Sequence, residues 1–255
     1  MKVVVKVGTS TLAHATGRLN IRRTGELCRV LSDLKNASHE VILVSSGAIG
    51  MGVGKLGLTE KPTDIPTKQA AAAVGQCELM YTYDRLFTEF NHTVAQILLT
   101  GADFLAEDRH ENFNNTMSRL LALNVLPIIN ENDTIATEEI KVGDNDTLSA
   151  LVAVSVGAEL LVILSDVDGL YDADPHKNTD AKLIERVHGT PEYIFDLAGD
   201  VGSALGTGGM KTKMNAAKIC VDQGVDMVIA NGENPDLLYD IVAGKEGGYT
   251  RFYSK

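Results

Sequence analysis

The sequence predicts an α/β fold built around a mostly parallel sheet. Two features point to it. Short β-branched runs alternate with longer helical patterns along the whole chain, and those runs are apolar at nearly every position rather than at every second one. Continuous apolar strands are buried on both faces, which is how a parallel sheet covered by helices reads. The 255 residues suit one large α/β domain or two small ones, and 44% hydrophobic residues can fill a sizeable core.

The chain opens on Val3-Val4-Val5-Lys6-Val7, predicted as the first strand over residues 3–7. A helical pattern follows over 21–36, then strand 41–44 and a second helix over 68–90. Strand 94–99, helix 112–123 and strand 125–129 come next. The second half repeats the alternation, with helix 147–156, strand 160–164, helix 211–223 and strand 227–230. Residues 134–142 depart from it and suit a small hairpin, while 199–209 are glycine-rich and suit a loop. A short extended piece, 249–253, closes the chain. Neither a repeat nor a Pro/Ser-rich linker divides it, so a single domain over 1–255 is expected.

A net charge of −11 argues against general nucleic-acid binding, which needs a basic face. The three cysteines, Cys28, Cys77 and Cys220, form neither a CxxC nor an even framework, and a reduced, cytoplasmic protein is expected. Cys28 and Cys77 fall in helical patterns as core or near-core residues. The longest apolar region, 148–164, is broken by Ser149, Ser155 and Glu159 and reads as helix then strand, not a membrane span.

The richest chemistry follows the fourth strand. Asn130-Glu131-Asn132-Asp133 and Gly143-Asp144-Asn145-Asp146 bring acids and amides to a strand end and a helix start, where open α/β sheets hold small ligands. Carboxylates can take an ammonium group, and amides and N–H groups a carboxylate, so the pair suits a zwitterion. Asp146 also stands where a helix cap is expected, a role compatible with function.

Four other segments bear on phosphate. Lys6 interrupts an apolar strand and is followed by Gly8, where backbone can approach an anion closely. Ser45-Ser46-Gly47-Ala48 suits either an anion-binding loop or a tight strand-to-helix turn. Ser165-Asp166 ends the fifth strand, where it can hold a ribose or base. Thr207-Gly208-Gly209-Met210-Lys211-Thr212-Lys213 runs into a helix, and lysines at that end oppose the helix dipole unless an anion lies between. Gly52-Val53-Gly54-Lys55-Leu56-Gly57 matches GxGxxG but opens no helix at once and has no acidic strand end about 20 residues on, so it reads as a mobile glycine-rich loop rather than a dinucleotide site. Two lysines on glycine-rich segments beside an acid/amide pocket fit phosphoryl transfer from ATP to a small zwitterion.

On Val5-Lys6-Val7-Gly8-Thr9-Ser10, Ser45-Ser46-Gly47, Ile129-Asn130-Glu131-Asn132-Asp133, Lys141-Val142-Gly143-Asp144-Asn145-Asp146, Ser165-Asp166 and Gly206-Thr207-Gly208-Gly209-Met210-Lys211-Thr212-Lys213, the chain resembles the amino acid kinase family over essentially its whole length. The resemblance implies a three-layer αβα sandwich whose first part, about 1–150, mainly holds L-glutamate and whose second, about 151–255, mainly holds ATP with Mg²⁺. It implies phosphorylation of the glutamate γ-carboxylate, the first step of proline synthesis. Lys6 and Lys213 would contact the transferring phosphate, with Asp146 orienting both. Ser46, Asp133 and Asn145 would hold glutamate, while Lys6, Gly8, Ser165, Asp166 and Thr207, Gly208, Gly209, Met210, Lys211, Thr212 and Lys213 would hold ATP. No protein metal ligand is expected. Similar proteins often carry a C-terminal PUA domain, which this sequence does not contain. A homo-oligomer, feedback inhibition by proline and a glutamyl-phosphate reductase partner are further expectations from the resemblance, with no membrane or nucleic acid among the partners.

Overall fold

The computed structural model describes residues 1–14, 18–60, 62–136, 144–173, 175, 178–198 and 209–255. Strand β1 (Lys2–Val7) leads through the short α1 (Thr9–Leu12) to α2 (Ile21–Asn36), β2 (Glu40–Ser45), the helices α3 (Ala48–Leu56) and α4 (Ile65–Thr88), and β3 (Val94–Leu99). Helices α5 (Gly101–Leu105) and α6 (Glu107–Ala122) precede β4 (Leu126–Glu131). The second half contains α7 (Asn145–Ser155), β5 (Leu160–Ser165), β6 (Arg186–His188), α8 (Tyr193–Ala198), α9 (Met210–Asp222), β7 (Asp226–Asn231), α10 (Leu237–Val242) and β8 (Tyr249–Tyr253).

All eight strands form one sheet in the order β3-β4-β2-β1-β5-β7-β8-β6. Every neighbouring pair is parallel except β7 with β8. Side chains alternate between faces along each strand. Val3, Val5 and Val7 of β1 therefore join Leu27, Leu31, Leu79, Tyr83 and Phe87 from α2 and α4. Val4 joins Met117, Leu148, Met214 and Cys220 from α6, α7 and α9 on the other face. Helices thus cover both faces of a mostly parallel sheet, the expected three-layer αβα arrangement.

The predicted strands lie within two residues of observed ones, but several short elements were not predicted. Helices α1, α5, α8 and α10 have six residues or fewer, and β6 has three, too few for a periodic signal. Helix α4 begins three residues before its predicted start because Asp64 accepts from Thr67 N and Pro66 occupies the first turn. The glycine-rich segment around Gly52 is not a loop but part of α3, capped by the left-handed Gly57. One of its glycines, Gly52, serves packing. A Cβ on Gly52 would meet Ala71 O at 1.8 Å, and one on Gly75 would meet Ala48 O at 1.7 Å, so bare backbone lets α3 and α4 touch. Cys77 is exposed, against expectation, whereas Cys28 is fully buried. Much of the predicted hairpin at 134–142, and the glycine-rich stretch except Gly209, lie outside the described residues. Among the described residues no helix is long and apolar enough to cross a membrane.

Candidate active site

Parallel pairing brings the carboxyl ends of β1, β2, β4, β5 and β7 to one edge of the sheet. From β1 the chain moves to β2 on one side, while from β5 it proceeds to β7 on the other. The crevice outside these two strands is the switch point at which open sheets bind ligands.

Lys6 lies there by alternation, on the same face as Val4 and under α7 and α9. Its side chain is 10% exposed, and an ammonium so enclosed needs a partner. Asp146, in the first turn of α7, supplies it with an Oδ1–Nζ distance of 2.6 Å. Lys213 of α9 donates to Asp146 Oδ2 at 3.2 Å, and Thr212 Oγ1 donates to the same oxygen at 2.8 Å. Burial pushes the Asp146 carboxyl toward the neutral form, but the charges of Lys6 and Lys213 and the hydrogen bonds from Lys6 and Thr212 outweigh it and lower its pKa to about 2. Asp146 is thus an anion held between two cations. This also eases the dipole conflict seen in the sequence at Lys213, since the anion that Lys213 meets is a carboxylate of the protein itself. Asp146 is not the cap of α7. Asp144 is, its carboxylate accepting from Thr147 N at 2.8 Å and from Thr147 Oγ1 at 3.0 Å. The helix starts two residues earlier than predicted, which turns Asp146 inward.

Asn145, one residue away, faces neutral partners. Its Nδ2 donates to Ser46 Oγ at 2.7 Å and to Asn130 Oδ1 at 3.0 Å. Ser46 follows β2, where Gly47 takes φ 110° and turns the strand into α3. Asn130, next to last in β4, donates through Nδ2 to Gln76 Oε1 of α4 at 3.0 Å. Below this layer Ser45 Oγ lies 2.7 Å from the hydroxyl of fully buried Tyr83. Asp133 is half-buried in the turn after β4 that the Ala136 N–H closes on Asn132 O.

On the β5 side, Ser165 is buried and its hydroxyl donates to the exposed Asp166 at 3.1 Å. Gly8 adjoins Lys6, its Cβ position 3.5 Å from Nζ. Gly209 caps α9 with no side-chain hydrogen bond, leaving the first N–H groups of that helix available to an anion. Met210 packs against the core and Lys211 is exposed. Thr207 and Gly208 lie outside the described residues. The structure therefore joins Lys6, Asp146, Thr212 and Lys213 in one cluster and Ser46 and Asn145 in a second, adjacent one. Gln76 and Tyr83 escaped the sequence reading, because a single polar residue in an Ala/Gly-rich or apolar helical pattern resembles a surface position.

Enclosed lysines near glycines, one from β1 and one from α9, at the carboxyl edge of such a sheet, suit a phosphotransferase class of enzyme. The chain belongs to the amino acid kinase family, whose profile matches residues 1–231. Within that family it is similar to glutamate 5-kinases. It is 54% identical to the enzyme of Caldanaerobacter subterraneus subsp. tengcongensis over 98% of this chain and 67% of that protein. It is 51% identical to that of Clostridium perfringens over 100% of this chain and 96% of the relative. Among solved structures, carbamate kinase from Giardia lamblia bound to AMP-PNP superposes with a TM-score of 0.69 at 18% identity, covering 100% of this chain and 98% of that one. UMP kinase from Ureaplasma parvum gives 0.68 at 15% identity, covering 99% and 98%. At those identities the structures share the fold alone.

Proposed function

We propose that the chain transfers the γ-phosphoryl group of ATP to the γ-carboxylate of L-glutamate, giving L-glutamyl 5-phosphate and ADP, the first step of proline biosynthesis. The observation that carries this reading is the convergence of Lys6 and Lys213 on Asp146, directly beside the Asn145–Ser46 pair. A carboxylate acceptor is ionised at neutral pH, so the reaction needs no general base. One carboxylate oxygen forms a bond to Pγ while the bond from Pγ to the β,γ-bridging oxygen breaks, and ADP carries away that electron pair. Catalysis is then positioning and charge stabilisation, the work of fixed cations.

In this reading Lys6 and Lys213 neutralise charge on the transferring group, and Asp146 keeps the two ammonium groups together where they would otherwise repel. Ser46, Asn145 and Asp133 hold the amino acid. Gly8, Ser165, Asp166 and the segment from Thr207 to Lys213 hold the nucleotide, so that 1–150 chiefly serves the acceptor and 151–255 the donor. Mg²⁺ enters as part of the substrate, on the nucleotide's phosphates. This suits the donor set, because the carboxylate nearest the lysines is already committed to them.

Three finer points belong to the same proposal. Proline, a zwitterion of similar size, competes for the acceptor pocket. The chain assembles as a homo-oligomer, which would cover some of its exposed large apolar side chains, Tyr81 and Leu105 among them. The acyl phosphate, being labile, passes to a reductase such as glutamyl-phosphate reductase. The central test is ADP release from Mg-ATP with L-glutamate, with hydroxylamine trapping acyl phosphate as hydroxamate. Hydroxamate formed with glutamate, but not with acetylglutamate, aspartate or UMP, and lost in Lys213→Ala, is the expected result. Turnover with another acceptor would overturn the assignment.

A further inference from the structure

The amide cluster has a direction, and one backbone group sets it. The Glu131 N–H donates to Asn130 Oδ1 at 2.9 Å, and an N–H can only donate. Asn130 must therefore turn its oxygen that way and its Nδ2 the other way, where Gln76 Oε1 accepts at 3.0 Å. Asn145 meets Asn130 at the same fixed oxygen, so it too presents Nδ2, at 3.0 Å, and that nitrogen also reaches Ser46 Oγ at 2.7 Å. Both hydrogens of the Asn145 amide are then used. Its Oδ1 is buried with no hydrogen-bond partner among the described residues. A buried carbonyl oxygen left so is costly, and a donor from a ligand would satisfy it. Ser46, which accepts from Asn145, keeps its own proton to give.

Building on the proposed function, we propose that Gln76 is a positioning residue for the amino acid acceptor. Its Oε1 accepts the Asn130 Nδ2 that the Glu131 N–H turns toward it, and so locks the chain Gln76–Asn130–Asn145 in the polarity the backbone selects. The site then meets the acceptor with a carbonyl oxygen, which matches an ammonium group, and a hydroxyl proton, which matches a carboxylate. A chain of opposite polarity would turn an NH₂ toward the ammonium. Gln76 sits 6% exposed on α4 and, among the described residues, reaches the acceptor side through Asn130 and takes no part in the lysine cluster.

The test compares Gln76→Met, which keeps the shape and removes the acceptor oxygen, with Gln76→Glu, which keeps it. Gln76→Met is expected to raise KM for L-glutamate about tenfold, with KM for ATP and kcat within about twofold, and to narrow the preference for L-glutamate over glutarate, which lacks the ammonium. Gln76→Glu is expected to stay within about threefold of the unmutated KM, since its carboxylate still accepts from Asn130. An unchanged KM in Gln76→Met, an equal rise in both variants, or a parallel rise in KM for ATP would overturn the proposal. If Gln76→Met does not fold, Gln76→Glu decides alone: a retained KM supports the polarity and a raised one overturns it. The unmutated enzyme separates this from the proposed function. If it phosphorylates a different amino acid, the glutamate assignment falls and the same comparison is made on that acceptor. If it turns over none, the rise in melting temperature caused by L-glutamate replaces KM, and no rise in the unmutated protein overturns both.

Discussion

Two clusters share the first turn of α7, and neighbouring residues belong to different ones. Asp146 is an ion between two cations, nearly sealed from water. Asn145 belongs to a neutral amide and hydroxyl chain that reaches α3 and α4. The charged cluster is built from β1, α7 and α9 and can attract and stabilise phosphate. The neutral cluster is built from β2, β4 and α4 and can orient a small polar molecule without competing for that phosphate. Under the proposed function, rate would fall to one side of a helix turn and acceptor recognition to the other.

The largest effect should come from breaking the charged side. Lys213→Ala is expected to lower kcat about 10²–10³-fold, as loss of a preorganised charge on a transition state does, while KM for L-glutamate changes little. Rates of ADP release over a glutamate titration measure both. A kcat within threefold of the unmutated value would remove Lys213 from the chemistry.

Next comes Asp146→Asn, which preserves the side chain's shape and removes its charge. Two enclosed ammonium groups then lose the anion they share, and breaking such a buried pair costs about 3–5 kcal/mol. Thermal or urea denaturation should record that loss. Mg-ATP should recover more stability in this variant than in the unmutated protein, because phosphate replaces the missing anion between the lysines. Equal recovery in both would mean that the two lysines do not face the nucleotide.

The two clusters also differ in how far the sequence betrayed them. Lys6 stands out as a charge inside an apolar strand, and Asn130, Asn145 and Asp146 as polar residues at a strand end and a helix start. The sheet itself is readable because most of its strands are largely apolar runs, a signal that depends only on burial. What stayed hidden depends on tertiary distance. Nothing local tells that Gly52 and Gly75 allow α3 and α4 into contact, so the sequence around Gly52 reads as a loop where the structure has a helix. Nor does anything local tell that Gln76 turns inward among alanines. Asp146 was placed at a helix cap because composition alone cannot decide whether Asp144 or Asp146 closes the first turn. The hydrogen bonds to Thr147 decide it.

On the neutral side the effects should be smaller and fall on KM. Asn145→Ala removes the amide that joins Ser46 to Asn130. It should raise KM for L-glutamate about tenfold, equivalent to one buried hydrogen-bonding group, with kcat lowered less than in Lys213→Ala. Initial rates at saturating Mg-ATP give the comparison. Were Asn145→Ala to depress kcat as far as Lys213→Ala while sparing KM, the division of labour would be wrong.

The smallest effect is on pH dependence, and it separates the clusters without any substrate. The folded pKa of Asp146 is lowered from the ordinary 3.8 to about 2, so its contribution to stability is present above about pH 4 and is lost as pH falls through about 2. The shift corresponds to about 2 kcal/mol, confined to that window. The neutral cluster's amides and hydroxyls do not titrate there. Denaturation midpoints followed from pH 6 to pH 2 should therefore fall less steeply in Asp146→Asn than in the unmutated protein, while Asn145→Ala keeps the original slope. The fall itself has other contributors, since Asp103 and Asp226 are also held below their ordinary range by hydrogen bonds and arginine neighbours, and both variants retain these. The difference between the two slopes thus isolates one carboxylate. An Asp146→Asn slope identical to that of Asn145→Ala would mean that the lysines hold Asp146 no more tightly than water does, and the charged cluster would lose its claim to be preorganised.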